Sequence, residues 1–592
     1  MRHFLIAVAA FSLSLFSCTS IPPASVRVPT LPEARVKEIE SLLDSGSFLQ
    51  ALQEISFLRG EPSLDPAVDA DLLETRALAS LESAFSTSVK EKKYSDSIRL
   101  FQSARAYGKP ELVSGWTEKS LLREQALMLD SSGEKLLSLL ARLRAITTES
   151  TQEELAETLS YAQAVGHLNA ARTIADEMKK RGFSVPSKLL PGDAKVDFQN
   201  ILKGSITIWV NRGIRMEKGV GYPDRVIGSG FFIDPRGYLL TNYHVIKSEV
   251  DPTYEGYSRL FIRLSSETGD RIPAKVIGYD AAFDIALIKA EMTPEYVFSG
   301  LSTDPIIPGD RIFAIGSPAG LEKTITSGIV SATGRRFLQM GDAFQVDVPL
   351  NPGSSGGPLL NEKGEVIGIV FAGLEQFEGI NFAIPYSWIE KVLPQLYAGG
   401  KADHPWLGMA LMETETGLEV IYTMPDAPAD KGGIRIGDII EGIDGKQFTK
   451  LKDAQDALLD IDVAPSLVRI SFSRDGAKRE GIFCLSERPE NPVETALKKD
   501  SLESVIYPLF GMKLERIGSF LWKTEYMVSR VARGSVADES GISENDPLTI
   551  QDWVVDKEKG IAVLQIYVKK SKQGFLESVI QIGAYLETDS FI

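Results

Sequence analysis

Cysteine and histidine are scarce in this chain of 592 residues. The chain contains two cysteines, Cys18 and Cys484, and four histidines, His3, His167, His244 and His404. Two cysteines cannot build a disulfide framework, and no histidine lies at metal-ligand spacing from another histidine or from a cysteine. The sequence therefore argues against a disulfide-stapled fold and against a zinc site, and we expect no cofactor.

Basic residues and long apolar runs are also in short supply. Lys and Arg number 64 against 80 Asp and Glu, which gives a net charge of −16. Binding of nucleic acid requires clustered basic side chains that displace counterions, so we expect no nucleic-acid partner. Beyond the N-terminal segment, no apolar run reaches the roughly 18 residues of a transmembrane helix. With 43% hydrophobic and 24% charged residues, the composition is that of a globular protein, and the length predicts about four domains.

The N-terminal segment predicts export from the cytoplasm. A basic start is followed by the apolar run Phe4 to Phe16, which is too short to span a bilayer but typical of a signal-peptide core. Leu15-Phe16-Ser17-Cys18 resembles a bacterial lipobox, in which the cysteine becomes the lipidated first residue. Plain signal-peptide cleavage near Cys18 is the alternative. We predict a signal peptide over 1–17, a lipidated Cys18, a tether over 18–34 and a periplasmic location, anchored to a membrane by lipid.

Residues 35–183 have a helical pattern. Three segments share apolar and small residues at the same relative spacing, with a small residue in second place that allows close helix packing. The segments are Phe48, Ala51, Ile55 and Leu58; Tyr94, Ser97, Phe101 and Ala104; and Leu168, Ala171, Ala175 and Met178. They resemble the second helix of tetratricopeptide repeats, although their intervals differ from the regular period of about 34 residues. We predict a TPR-like array of helical hairpins that offers a surface to a protein partner, with an irregular helical bundle as the alternative.

After a linker at 184–195, the pattern changes to short strands separated by Gly and Pro, which is typical of a β-barrel or sandwich. Eight strands are predicted: Ser205–Val210, Gly230–Ile233, Tyr238–Thr241, Leu260–Leu264, Ala274–Gly278, Ile285–Ala290, Arg311–Ile315 and Val366–Phe371.

The residues suited to catalysis fall in this β-rich region. Ser355 lies in Gly353-Ser354-Ser355-Gly356-Gly357-Pro358, where small residues allow backbone N–H groups to approach a bound carbonyl. A serine needs an adjacent base to act as a nucleophile, and His244, in Thr241-Asn242-Tyr243-His244-Val245, can supply one. Asp284, which opens the apolar strand Ile285–Ala290, can orient the imidazole.

The order His, Asp, Ser in these contexts resembles the chymotrypsin-fold serine proteases, and within them the HtrA branch of bacterial envelope proteases. The supporting motifs are Gly228-Ser229-Gly230-Phe231, Thr241 to Val245, Asp284-Ile285-Ala286-Leu287, Thr326 to Ser331, Asp347 to Pro358 and Asn381-Phe382-Ala383-Ile384-Pro385. The resemblance implies a double β-barrel over 196–398 that needs no metal.

The resemblance also implies residue roles. Ser355 would be the nucleophile, His244 the general base, and Asp284 the group that orients it; the N–H groups of Gly353 and Ser355 would form the oxyanion hole. Leu350 would line the specificity pocket and favour a small or medium apolar side chain. Ser354 replaces the acidic or amide residue usual before the nucleophile, so activation by an ion pair to a new N-terminus is not expected.

The remainder of the chain resembles two PDZ domains. Over 403–486, Pro405-Trp406-Leu407-Gly408-Met409 corresponds to a carboxylate-binding loop, and an amphipathic helix follows near Leu451–Leu459. The resemblance implies that Trp406, Leu407, Gly408 and Met409 hold a peptide C-terminus, which adds as a strand to a sheet edge. After a linker at 487–500, the segment 501–592 repeats the motif weakly, beginning at Leu509-Phe510-Gly511-Met512. It is either a divergent PDZ domain or a packing module.

Together these features predict an exported serine endopeptidase of HtrA type that acts on misfolded or damaged envelope proteins and captures their C-termini. A non-proteolytic chaperone or scaffold, and a dedicated protease with one regulatory substrate, are the alternatives. The family usually assembles as homotrimers or larger oligomers. Only Asn211 to Val226 are available for its long regulatory loop, which leaves cage assembly open.

Overall fold

The computed structural model of the protein describes residues 32–60, 70–185, 196–264, 270–298, 306–317, 324–335, 340–373, 379–461, 464–520, 523–556, 560–570, 576–586 and 590–592. The predicted signal peptide and Cys18 lie outside the described residues, as do most of the predicted tether and of the linker 184–195. Within these described ranges, no helix is both long enough and apolar enough to cross a bilayer.

The N-terminal region is built from helical hairpins, as predicted. Its described residues form eight α-helices, in which each helix contacts the next along the chain and three-residue connections join them into four consecutive pairs. They are α1 (Pro32–Asp44), α2 (Phe48–Gly60), α3 (Ala70–Lys90), α4 (Tyr94–Tyr107), α5 (Glu118–Ser131), α6 (Lys135–Arg144), α7 (Gln152–Ala164) and α8 (Leu168–Lys180). The three recurring patterns of the sequence fall on α2, α4 and α8, each the second helix of its pair. Helix α6 is the second helix of the remaining pair and has a different apolar spacing.

Local sequence sets several of these helix ends. At the start of α7, the Thr151 hydroxyl accepts from the Glu154 N–H, while the Glu154 carboxylate accepts from the Thr151 N–H. This reciprocal capping satisfies N–H groups that have no partner within the helix. Helix α4 ends at Gly108, whose φ of +85° lies in the left-handed region that glycine adopts at low cost.

The next region confirms the predicted double β-barrel. The first barrel closes in the order β1 (Ser205–Glu217), β2 (Val220–Asp234), β3 (Tyr238–Thr241), β6 (Ile285–Ala290), β5 (Arg271–Asp280) and β4 (Arg259–Arg263). The second closes in the order β10 (Pro358–Asn361), β11 (Val366–Gly373), β12 (Asn381–Pro385), β9 (Ala343–Val346), β8 (Thr324–Arg335) and β7 (Arg311–Gly316). Helices α9 (Phe198–Ile201), α10 (Tyr243–Val250) and α11 (Tyr386–Ala398) flank the barrels, and β13 (Gly400–Lys401) adds to β5.

The segment 211–226, predicted as a loop, is instead a two-stranded ribbon. Strands β1 and β2 remain paired out to Glu217 and Val220. The intervening Lys218 and Gly219 both have positive φ, at +50° and +82°. Two such residues form the hairpin turn whose twist matches that of the paired strands, which explains why the strands continue. The ribbon leaves Ile214, Met216, Val220 and Tyr222 exposed.

The first PDZ-like domain is a sheet in the order β14-β20-β19-β17-β16-β15, with β15 at the edge. Its elements are β14 (Pro405–Trp406), β15 (Met409–Thr414), β16 (Gly417–Thr423), α12 (Pro428–Lys431), β17 (Ile439–Ile443), β18 (Lys446–Gln447), α13 (Leu451–Leu459), β19 (Ser466–Arg474) and β20 (Ala477–Glu487). Helix α13 spans the range predicted for it.

The second PDZ-like domain is a five-stranded antiparallel meander. Its elements are α14 (Pro492–Lys499), α15 (Leu502–Phe510), β21 (Met512–Phe520), β22 (Lys523–Val531), α16 (Val536–Glu539), β23 (Pro547–Asp556), β24 (Ile561–Lys570) and β25 (Leu576–Tyr585). Strand β24 follows β23 as a hairpin, with Asp556 opposite Ile561, at the point in the chain where the first domain has α13. The segment 487–500 differs from the predicted linker, because α14 lies within it and buries Val493 and Ala496 in this domain's core.

The helical hairpins pack against the other domains of the same chain. Helices α2 and α4 lie on β19 and β20 of the first PDZ-like domain, where Leu467, Ile482 and Cys484 join the apolar core of the helices. At the other end of the array, Leu136 and Leu140 of α6 join the core of the barrels. The helical region therefore contacts both the barrels and the first PDZ-like domain.

Candidate active site

The predicted base and acid lie side by side in the first barrel. His244 is in the first turn of α10, and Asp284 lies in the turn between β5 and β6. The Asp284 carboxylate accepts two hydrogen bonds from His244, one from the backbone N–H at 2.8 Å and one from Nδ1 at 2.7 Å. Asn242 donates to the backbone carbonyl of Asp284 at 2.8 Å. These contacts hold Asp284 at a φ of +55°, and they leave Nε2 of His244 as the nitrogen that can accept a proton.

The same pair sets the protonation behaviour of the imidazole. Partial burial opposes the charged form of His244, whose side chain remains 46% exposed, but Coulombic attraction by Asp284 and the hydrogen bond to it outweigh this effect. The pKa of His244 is therefore raised above its ordinary value. A raised pKa makes His244 a stronger base, which suits the removal of a proton from a hydroxyl group.

Ser355 lies in the tight turn that precedes β10. Its hydroxyl donates to the carbonyl oxygen of Phe371 at 3.2 Å. Phe371 is the extra residue of a bulge in β11, where the pairing with β12 shifts between Val370 and Ala372. A bulge re-aims the backbone groups of a strand. Among the described residues, no hydrogen bond joins Ser355 to His244, so the serine hydroxyl is not bonded to its predicted base.

The turn around Ser355 also presents two unused donors. The N–H groups of Ser354, Gly356 and Gly357 donate to backbone carbonyls. Those of Gly353 and Ser355 have no acceptor within the described part of the chain. Gly353 has a φ of +103°, a conformation that favours glycine. Two neighbouring free N–H groups beside a nucleophile are the geometry that binds a developing oxyanion.

A buried network of hydroxyl groups supports this turn, and sequence reasoning did not identify it. The Ser229 hydroxyl donates to the carbonyl of Gly353 at 2.7 Å and accepts from the Ser317 N–H at 3.0 Å. The Ser229 N–H donates to the carbonyl of Ser355 at 2.7 Å. Thr207 donates to the Ser317 hydroxyl at 2.6 Å. The motif Gly228-Ser229-Gly230-Phe231 contains this serine, but the motif by itself does not indicate which groups the hydroxyl binds.

The glycines after Ser355 allow this close packing. A Cβ added to Gly356 would lie 2.2 Å from the carbonyl oxygen of Ser229, and one added to Gly357 would lie 2.1 Å from that of Ile315. Neither position can hold a larger residue without moving the backbone. Ser354 is buried against Gly316, and Leu350 is half-buried at the edge of the second barrel's core.

The predicted peptide-binding residues lie far along the chain from this site, in the first PDZ-like domain. Trp406, Leu407 and Met409 are buried. Gly408 has a φ of +77°, and a Cβ added to it would lie 2.2 Å from the Cβ of Ala427. The N–H groups of Gly408 and Met409 lie at the start of the edge strand β15, where a PDZ domain binds a carboxyl end.

The turn that ends at Asp284 contacts the start of this PDZ-like domain through a second histidine, His404. His404 Nε2 lies 2.9 Å from the Asp280 carboxylate, and both side chains are buried. Asp280 begins the turn that ends at Asp284. Among the described residues, no group of three or more His, Cys, Asp or Glu side chains is arranged to hold a metal ion.

Models of known protein families match the regions of the chain described above. A trypsin-like peptidase domain matches residues 228–369, and a PDZ domain matches residues 419–466. The TP0546 family PDZ domain matches residues 493–586, and a domain of unknown function matches residues 31–128.

Several curated bacterial proteins are similar to the chain. A probable periplasmic serine endoprotease, DegP-like, from Ectopseudomonas mendocina is 35% identical over 289 residues, which are 46% of this chain and 58% of the relative. The chain thus spans less than two thirds of that protein. A protein of the same description from a Marinomonas species is 30% identical over 341 residues, which are 55% of this chain and 70% of the relative.

Among solved structures, the HtrA-type protease AlgW with a decapeptide is 25% identical, with a TM-score of 0.42 over 50% of this chain and 99% of that chain. The 30% identity over 70% of the Marinomonas protein, together with the trypsin-like and PDZ matches, shows that the chain belongs to the HtrA family of DegP-like serine endoproteases.

Proposed function

We propose that the chain is an exported serine endopeptidase that hydrolyses peptide bonds in misfolded or damaged envelope proteins. One observation carries the proposal. His244 Nδ1 lies 2.7 Å from the Asp284 carboxylate, in the same double-barrel domain as the Ser355 turn with its two free N–H groups. An unfolded chain is the substrate class that best suits an exposed catalytic histidine, because its backbone can reach the site without a lock-and-key fit. His244 has 46% of its side chain exposed.

In this mechanism, Ser355 attacks the scissile carbonyl while Nε2 of His244 removes its proton. Asp284 keeps Nδ1 protonated and stabilises the imidazolium that forms. The N–H groups of Gly353 and Ser355 bind the oxyanion of the tetrahedral intermediate. His244 then donates the proton to the leaving amine, and water hydrolyses the acyl-enzyme by the same steps. Leu350 lines the pocket for the side chain before the cut bond.

The hydroxyl of Ser355 has to change partners before it can attack. At rest it donates to the carbonyl of Phe371, and a productive attack requires it to donate to His244 instead. Binding of a substrate C-terminus to the first PDZ domain would favour this change by shifting the Phe371 carbonyl away from Ser355. Activation of this kind needs no cleavage of the chain.

The test is degradation of an unfolded protein, such as reduced and alkylated casein, by the chain expressed without residues 1–18. The matched control is Ser355→Ala, which removes a single oxygen atom. We expect the control to lose several orders of magnitude in rate, because about 10⁴- to 10⁶-fold of catalysis depends on the nucleophile in comparable triads. Equal rates for the two proteins would refute the proposed nucleophile.

The same assay separates the alternatives. A non-proteolytic chaperone would prevent aggregation of the unfolded protein equally well with or without the Ser355 hydroxyl, and neither form would degrade it. A dedicated regulatory protease would leave casein intact and cut one folded or partly folded substrate. Cleavage at many sites in several unrelated unfolded proteins would favour general proteolysis.

The proposed location is the bacterial periplasm, with lipid on Cys18 holding the chain to a membrane. Both curated relatives described above carry the word periplasmic in their names. We also propose self-association into a trimer or larger oligomer. The ribbon at 211–226 supports this, because exposed apolar side chains such as Ile214 and Met216 mark interaction surfaces.

A further inference from the structure

The last three residues of the sequence lie in the peptide groove of the first PDZ domain. Segment Ser590–Ile592 runs antiparallel to the edge strand β15, with Phe591 opposite Ala410. The Ile592 carbonyl oxygen accepts from the N–H groups of Gly408 and Met409 at 2.9 and 3.2 Å. The Ile592 N–H donates to Met409 at 2.9 Å, and Leu411 donates to Ser590 at 2.9 Å. The segment therefore forms the hydrogen bonds that an added peptide strand would form.

The side chains of this segment are buried as deeply as core residues. Ile592 is 2% exposed and belongs to the apolar cluster of the first PDZ domain, with Leu407 and Leu458 of α13. Phe591 is fully buried and stacks on Trp406, with ring centroids 6.4 Å apart and an interplanar angle of 9°. Buried apolar area and aromatic stacking both stabilise such a contact.

Phe591 joins the two PDZ domains. Its ring lies 5.7 Å from Tyr422 of the first domain, and it belongs to one apolar cluster with Phe510 and Leu564 of the second. The second domain has a hairpin where the first has α13, so the described part of its sheet lacks the helical wall of a PDZ groove. Phe591 thus packs against both domains while its neighbour Ile592 lies in the core of the first.

We propose that the groove of the first PDZ domain holds Ser590–Ile592 of the same chain as its resident ligand. The groove selects segments in which an aromatic residue precedes a branched aliphatic residue, and a substrate C-terminus binds by displacing the resident segment. This inference rests on the proposed capture of C-termini by the first PDZ domain.

A tethered ligand competes strongly with a free one. Only residues 587–589 separate the segment from the described end of the second PDZ domain at Leu586, so its effective concentration in the groove is about millimolar. A free peptide of the same affinity has to exceed that concentration to displace it. Removal of the segment is therefore expected to strengthen peptide binding by at least about tenfold.

The experiment measures peptide binding without catalysis. In a Ser355→Ala background, fluorescence anisotropy reports binding of a labelled decapeptide that ends in Ser-Phe-Ile. The intact chain is compared with a variant that lacks residues 590–592. We expect the variant to bind at least about tenfold more tightly, and the same peptide with an amidated end to bind it much more weakly.

Two further variants separate displacement from misfolding. Ile592→Asp keeps Phe591 in the core that the two domains share, and it should strengthen peptide binding as the deletion does. Tyr585→Ser alters a side chain at the end of β25 that is 73% exposed, and it should bind the peptide as the intact chain does.

The outcomes distinguish this inference from the proposed function. Equal affinity for the intact and shortened chains would overturn the resident ligand while leaving capture of C-termini in place. Failure of all forms to bind the peptide would overturn capture itself. If the difference in peptide affinity between the intact and shortened chains grew with protein concentration, the groove would be occupied by the segment of a neighbouring copy. That result would overturn the assignment to the same chain.

Discussion

At the scale of single residues, the hydrogen bond from His244 to Asp284 predicts how activity depends on pH. Because attraction by Asp284 outweighs burial and raises the pKa of His244, the base stays protonated to a higher pH than a free histidine, whose pKa is about 6.5. The neutral form is the active one. We therefore expect kcat/KM for a peptide substrate to rise with pH, with a midpoint above about 6.5.

A midpoint at or below the ordinary value for histidine would contradict this assignment. Asp284→Asn is the matched variant, because it preserves shape while removing the charge that raises the pKa. Its kcat is expected to fall by about 10⁴-fold, since the amide favours the wrong tautomer of His244. The raised pKa also links to stability. The paired imidazolium stabilises the folded state at acidic pH, and this contribution is lost as pH rises through the folded pKa.

Ser229 predicts a different kind of effect, because it is fully buried and positions the turn. Ser229→Ala removes the donor to the Gly353 carbonyl and leaves the buried Ser317 N–H without its acceptor. We expect kcat to fall by about 10- to 100-fold with little change in KM, because a Gly353 N–H that is no longer held in place loses part of the roughly 100- to 1,000-fold that one oxyanion donor contributes. Steady-state kinetics on a peptide ester provides the measurement.

The control for this prediction is Thr207→Val, which breaks the same network one step further from the turn, at the Ser317 hydroxyl. It should lower the free energy of unfolding by a similar amount while leaving kcat nearly unchanged. Equal losses of kcat in both variants would mean that Ser229 acts only through stability.

Motif order in the sequence was enough to name His244, Asp284 and Ser355 as candidates, because each lies in a short characteristic context. Motif order could not indicate that the Ser355 hydroxyl donates a hydrogen bond to the carbonyl of Phe371. That contact depends on a bulge in β11, and a bulge is an irregularity of pairing that the sequence of one strand does not encode.

At the scale of secondary-structure elements, strands with continuous apolar runs could be predicted from the sequence, and Ile285–Ala290 has the predicted bounds. Four strands of the second barrel were not predicted from periodicity: β8, β9, β10 and β12. Strand β8 alternates exposed and half-buried positions rich in Gly, Ser and Thr, so it lacks the hydrophobic signal. Three of these strands have five residues or fewer, which is too short for an alternation of apolar and polar residues to be detected.

The turn from Asp280 to Asp284 is an element whose position depends on a contact with the next domain. The Asp280 carboxylate accepts from the N–H groups of Ala282 and Phe283, and its second oxygen pairs with His404. His404→Ala leaves that buried oxygen without its partner. We expect the free energy of unfolding to fall by about 1–3 kcal/mol. We also expect the pH midpoint of kcat/KM to fall, because Asp284 moves away from His244.

The shift of the pH midpoint is the decisive measurement, since a purely structural role for His404 would lower stability and leave the midpoint unchanged. Lys401→Ala is the control. It alters β13, three residues before His404, at a partly exposed ion pair with Asp403 that is 3.7 Å long, and such pairs contribute little to stability. Its stability and its pH profile should match those of the unaltered chain.

At the scale of the whole molecule, the sequence contained an unused indication of how the helical hairpins dock. Strand β20 carries the continuous run Ile482-Phe483-Cys484-Leu485, and all four residues are buried. Such a run is expected of a strand covered on both faces. Phe483 and Leu485 face the core of the PDZ domain, while Ile482 and Cys484 join the core of the helices. The run predicts a covering layer but does not identify it, because many apolar helix faces could supply one.

The single cysteine of the described residues makes this interface measurable. The Cys484 thiol is buried, and burial raises its pKa to about 12, so it should react slowly with a thiol reagent such as dithionitrobenzoate. Gln53 of α2 accepts from the Cys484 N–H at 2.6 Å and donates to the Pro428 carbonyl at 3.3 Å. Because both bonds cross the interface, Gln53→Ala should favour its opening.

We expect Gln53→Ala to speed labelling of Cys484 by about tenfold, which corresponds to a loss of about 1.4 kcal/mol, within the cost of an unsatisfied buried N–H. The reaction is specific when residues 1–18 are absent, because Cys18 is the other cysteine of the sequence. Gln50→Ala, at an exposed position on the same helix, should label as slowly as the unaltered chain. If both variants labelled slowly, the helices would be held to the PDZ domain by apolar contacts alone, and Gln53 would have no part in closing the interface.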